Sequence, residues 1–182
     1  SKLNSNHLIP NQIFGDKNLI SQLDSSLAQI TKVFENNEAK LLGDLRVYSF
    51  AIKSLSKFES TQRNIPFWDV LYRTIETFLA QKETSPVHKD TVFHYINFLK
   101  AVSNHQTYLK ENKSQEFEAH LQKTQEIKTK IFEYLTKEQI SEIIGFRGWV
   151  FLYENLEATG DDLQTPTANI INEKIANQKD VN

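Results

Sequence analysis

The chain contains no cysteine and no methionine, and among its 182 residues only five are glycine and four are proline. Without cysteine it can form no disulfide, thiolate zinc site, iron–sulfur cluster, covalently attached haem or cysteine nucleophile. Without methionine it lacks the soft, adaptable grooves that promiscuous helix-binding proteins use. So few glycines exclude glycine-rich phosphate loops, and glycine and proline together leave little material for tight turns. An excess of one charge is missing too. Lys and Arg number 21 against 23 Asp and Glu, so no nucleic-acid footprint is expected. The longest apolar run, Trp149 to Tyr153, is five residues, which excludes membrane insertion within this chain. No basic segment leads into an apolar one in the manner of a signal peptide.

What remains is an ordinary globular composition, 39% hydrophobic and 24% charged, at a length that suits one domain. The chain opens on Ser1, and the expectation is an excised or processed piece that membrane segments flank in a larger protein. Residues 1–15, with Pro10 and Gly15, read as a polar arm. Asp16 caps a first helix carrying Leu19, Ile20, Leu23, Leu27, Ile30 and Phe34 at three- and four-residue steps. A break at 35–37 and a second stripe, Leu41, Leu45, Tyr48, Ile52 and Leu55, predict a helical hairpin. A polar linker over 59–65 precedes Pro66, which suits the first turn of a helix lined by Trp68, Leu71, Ile75, Phe78 and Leu79. Thr84-Ser85-Pro86 repeats the cap-then-proline signal before Val92, Tyr95, Ile96, Leu99, Val102 and Leu109.

Beyond Lys110 the seam changes phase. Its continuation would bury Lys113, Glu116, His120 and Lys123. A shift of one residue instead lines up Phe117, Leu121, Thr124, Ile127, Ile131 and Leu135. A turn near Asn112 with Ser114 as the next cap accounts for the shift; one long kinked helix is the alternative. Thr136-Lys137-Glu138-Gln139 has the spacing of a capping box. The helix it opens is apolar on nearly every side and ends at Gly160. Thr165-Pro166 starts a last short helix with Ile170, Ile171 and Ile175. The predicted architecture is all-α, an antiparallel up-and-down bundle of six or seven mostly long helices. The bundle spans 16–160, and a C-terminal loop and short helix span 161–182.

Motifs of catalysis and metal binding fail on spacing. The residues three before His88, His94, His105 and His120 are Ser85, Thr91, Val102 and Phe117, so no Glu-x-x-His ligand pair exists. His94 and His105 read as a semi-exposed shoulder, Glu116 and His120 as a surface pair, and Asp69 with Arg73 as a helix pair. Asp161-Asp162 reads as a solvated cap, and the mixed charges from Lys110 to Glu138, including Glu126 and Lys130, as a solvated face. Gly145-Phe146-Arg147-Gly148 reads as small residues permitting close packing or a local hinge. No catalytic residue, metal or cofactor is expected.

Arg147 is the residue out of place, because a guanidinium on an apolar helix must find an acid, a carbonyl cluster, an anion or water. Arg46 lies similarly beside its own seam. Together they predict an anion-binding pocket formed by Arg147, Trp149, Arg46, Tyr48 and Trp68. The resulting expectation is a non-enzymatic module that senses a small anionic ligand or a protein partner, as the extracytoplasmic part of a receptor. The alternative is a cytoplasmic adaptor, inhibitor or immunity-type protein whose contact surface uses exposed aromatics of the last long helix. An enzyme would require a pocket where His, Asp or Glu side chains converge with perturbed pKa values.

Overall fold

The computed structural model describes residues 59–81 and 86–181, with positions 22, 25, 27–29, 31–32, 35–36, 46, 49 and 52–53 upstream. Six helices follow one another: α1 (Glu59–Arg63), α2 (Ile65–Ala80), α3 (Lys89–Glu111), α4 (Gln115–Thr136), α5 (Glu138–Thr159) and α6 (Gln164–Val181). The upstream positions are also helical, and no strand occurs among the described residues. Leu27 and Ile52, one from each predicted upstream stripe, are buried in the core. Glu35 and Asn36 are still helical, so the rest of the break predicted at 35–37 lies outside the described residues.

Local chemistry sets most of the boundaries. The Asn64 side chain accepts the Phe67 amide at 3.1 Å, and Pro66 occupies the first turn of α2, where a missing N–H costs nothing. Part of the predicted linker over 59–65 is instead the short helix α1. Its anchor is tertiary, since the Trp68 indole donates to the Thr61 carbonyl at 2.7 Å. Pro86 lies outside α3, which begins at Lys89 with His88 in the capping position; residues 82–85 lie outside the described residues. The turn at Asn112 is present, and α3 and α4 are separate helices. The Ser114 hydroxyl makes no capping bond. The capping box at Thr136 does not form. Thr136 is still helical and donates to the Glu133 carbonyl at 2.8 Å, leaving Lys137 as the cap.

The helices pack as an all-α bundle in which α3 lies against α4 and α5, α2 against α4, and α6 against α5. Turns of a few residues between α3 and α4, and between α5 and α6, make these neighbours antiparallel. The seams predicted for α2 and α3 are buried, apart from half-buried Leu79, and Trp68, Tyr72, Phe98 and Trp149 are fully enclosed. Gly160 closes α5 in the left-handed conformation (φ 64°, ψ 33°), and the Asp161 amide reaches back to Leu156 at 2.9 Å. Helix α6 has 18 residues rather than being short, and Leu163, Ile170 and Ile171 pack on the core.

Candidate functional site

Of the predicted pocket residues that the structure describes, the two arginines lie at the surface and the two indoles in the core. Trp149 is fully buried and donates its indole N–H to Ser141 at 2.9 Å. Trp68 is fully buried and engaged with Thr61. Arg147 and Arg46 are exposed, and Tyr48 lies outside the described residues. Both indole N–H groups are already committed, to Ser141 and to Thr61, while Arg147 faces solvent.

Gly145 is the reason. A continuous helix would put Ile140, Ile144, Arg147 and Phe151 on one stripe. Gly145 instead adopts φ 68°, ψ 174°, a region essentially reserved for glycine, and rotates the second half of α5 against the first. Ile140 and Ile144 therefore point inward, while Arg147 and Phe151 point outward. The Trp149–Ser141 hydrogen bond straps the two halves across the break. The hinge reading of this glycine pair was available from sequence; the rotation it causes was not.

The bundle interior holds a buried histidine pair that spacing rules missed. His105 on α3 and His120 on α4 meet Nε2 to Nε2 at 2.9 Å, so one proton must lie between them. His120 Nδ1 lies 3.3 Å from Asp69 on α2, and the Asp69 side chain is 47% exposed. With Asp69 accepting from Nδ1–H, the His120 Nε2 is bare and accepts from His105. Trp68 stacks on His105 at 4.1 Å and 6°, and Tyr72 stacks on His120 at 5.5 Å and 16°. The Thr124 hydroxyl donates to the His120 carbonyl at 2.8 Å, which leaves the Tyr72 hydroxyl to donate to Thr124 at 2.7 Å. Burial raises the Tyr72 pKa and keeps that hydroxyl protonated. Burial also pushes His105 down to about 2, with His120 adding to the effect and the Gln62 backbone opposing it. It lowers His120 too, against the pull of Asp69. His105 is thus enclosed rather than on a shoulder, and His120 turns away from a surface pairing with Glu116.

Two turns along α4 lies a second buried polar group. Lys128 is 0% exposed, and its ammonium donates to Gln106 at 2.6 Å, to Asp161 at 3.0 Å and to Asp162. Asp161 also accepts from the Ser103 hydroxyl at 2.7 Å and the Leu163 amide at 2.9 Å. The Asp pair is therefore a latch between the α5–α6 turn and α4, and Asp161 is buried rather than a solvated cap. The charged face of α4 is correspondingly not all solvated. Lys130 reaches Glu76 at 3.9 Å rather than Glu126, and Arg73 pairs with Glu35 rather than Asp69. One signal existed in the sequence: His120, Thr124 and Lys128 recur every four residues, on one face of α4.

The outer face of α5 is different in kind. Phe146 and Phe151 are the large hydrophobic side chains left exposed among the described residues, at 38% and 44%. Arg147 lies one turn before Phe151, and the Lys100 ammonium of α3 sits 4.8 Å above the Phe151 ring. Burial lowers the Lys100 pKa, and nearby Lys53 lowers it further. Among the described residues, Lys53, Lys100 and Arg147 make no ion pair.

A crevice of about 390 Å³ at the α3–α4 turn is lined by Leu109, Phe117 and Leu121, with Lys110 and Lys113 offset by Glu118. Neither it nor the adjoining groove along α4 includes His105, His120 or Asp69. Among the described residues no group of three His, Asp or Glu side chains can hold a metal, and no helix is long and apolar enough to cross a membrane. The chain matches no protein-family model, no curated protein and no solved structure.

Proposed function

We propose that this chain is a non-enzymatic interaction module whose contact surface is the outer face of α5. One observation carries the reading: Phe151 stands exposed under the Lys100 ammonium and one turn after exposed Arg147, two cations that no described carboxylate answers, and Phe146 is exposed next to Arg147 in the chain. Aromatic and arginine side chains are the residues that dominate protein–protein binding energy. The partner fitting this face carries acidic side chains around an apolar anchor. Of the two expected partners, a small anionic ligand or a protein, this face suits the protein, whose acidic groups would meet Arg147 at the surface instead of in a pocket.

A peptide-display selection against the whole chain tests the proposal. Enriched peptides should combine Asp or Glu with an apolar residue, and each should lose at least about tenfold affinity to Arg147→Glu or Phe151→Ser, a hot-spot-sized effect. Both substitutions fall on exposed positions, so thermal stability should hold. Enriched peptides that ignore both substitutions, or no enrichment at all, would overturn the assignment.

A further inference from the structure

We propose that the Asp69–His120–His105 chain is an acid-responsive latch holding α2 against the α3–α4 hairpin. One added proton is carried with its contacts intact, and a second parts the rings. The proposal rests on the proton count of the Nε2–Nε2 contact. In the neutral state His105 donates and His120 accepts across 2.9 Å. A first proton makes His120 the donor at both ring nitrogens, to Asp69 and to His105. His105 then carries its own proton on Nδ1, a buried atom with no hydrogen-bond partner among the described residues in the neutral state, and the Gln62 backbone favours the charged ring. The Asp69 carboxylate balances that single charge. A second proton puts N–H against N–H, with two positive rings in contact and no second counter-charge. The hydrogen bond cannot survive that state.

From α2, Asp69 and Tyr72 face the pair, Arg73 is drawn to Glu35, and Glu76 is drawn to Lys123 and Lys130. From α1 comes the Gln62 backbone, and from α3 His105 itself. On α4, Lys128 lies two turns from His120 and is held by Asp161 and Asp162. Among the described residues, Asp69 is the charge acting on His120, and His120 the charge acting on His105. Asp69 is also the part of the chain open to solvent, so protons have a route in.

Trp68 is the natural reporter because it lies flat on His105, while Trp149 sits elsewhere on α5 and serves as an internal control. The test follows both indole N–H signals and the histidine ring nitrogens by NMR, on the unaltered chain, from about pH 7.5 to about pH 4, the range around the ordinary histidine pKa. At neutral pH His120 should show the Nδ1–H tautomer and His105 the Nε2–H tautomer. On acidification the Trp68 indole should hold its place through the first proton uptake and shift with the second, while Trp149 stays in place throughout. Asp69→Asn should move the first proton uptake down by about one pH unit or more, the usual effect of losing an adjacent counter-charge. Coincident movement of Trp68 and Trp149 would mean that acid only unfolds the chain, and the latch would be rejected. Two histidines titrating independently near the ordinary value would reject it as well.

Discussion

Replacing Lys128 by methionine isolates the contribution of the buried ammonium, because methionine keeps most of the side-chain length and removes only the charge and its donors. Lys128 holds Gln106, Asp161 and Asp162 together, and its own side chain and that of Asp161 are 0% and 2% exposed. Removing one partner of a buried pair leaves the other charge uncompensated, which costs about 3–5 kcal/mol. Asp161 keeps its bonds from the Ser103 hydroxyl and the Leu163 amide, so the expected loss is near the lower end, about 3 kcal/mol. For a chain of this length each kcal/mol corresponds to about 2–4 °C, which places the melting point about 6–12 °C lower. Asp162 is 62% exposed, and Asp162→Asn should cost under about 1 kcal/mol because water screens that contact. Lys128→Met combined with Asp161→Asn should be less destabilised than Lys128→Met alone, since the amide removes the stranded charge and keeps an acceptor for the Ser103 hydroxyl and the Leu163 amide. Urea unfolding of the four proteins measures all three differences. A Lys128→Met variant within about 1 kcal/mol of the parent would refute the buried-latch reasoning, whatever the other variants do.

Three further outcomes follow from the same geometry. Gly145→Ala should destabilise by about 1–3 kcal/mol through its backbone conformation alone, since a Cβ there meets nothing within 4 Å; calorimetry checks this. Gly148→Ala has the opposite cause, a Cβ 2.7 Å from the Ile144 Cγ2 methyl, and a partner Ile144→Leu change, which removes that β-branch, should recover part of its loss. Burial lowers the pKa of both His105 and His120, so the unfolded chain binds protons near the ordinary histidine value that the folded chain refuses. Stability is therefore full above about pH 6.5 and falls below it, by about 1–2.5 kcal/mol between about pH 7 and about pH 5.5 in urea titrations. His105→Phe should flatten that dependence.

The helices were legible in the sequence because each buries a stripe at three- and four-residue steps, and Asn112 with Ser114 marked the one turn where the stripe changes phase. Asn64 and Gly160 bounded their helices through chemistry that a sequence displays. Helix α1 was not legible, because its support is a long-range bond from Trp68 to Thr61. The polar interior was hidden by a sound rule applied too locally. Burying His120 or Lys128 is unfavourable alone, and each is tolerated because Asp69 and His105, or Asp161 and Gln106, arrive from other helices. The outward turn of Arg147 was hidden for a related reason. One glycine conformation rotates half of α5, and periodicity counted through residue 145 cannot register the turn. The aromatics of the last long helix, considered from sequence as a contact surface, are the part of the expectation on which the proposed function rests.

That surface can be tested directly in cells that make the protein. A photo-crosslinking phenylalanine analogue replaces Phe151, and in a control it replaces exposed Glu118 on α4. The account predicts a discrete adduct from position 151 that disappears with Arg147→Glu, and none from position 118. No adduct from position 151, or the same adduct from both positions, would contradict it.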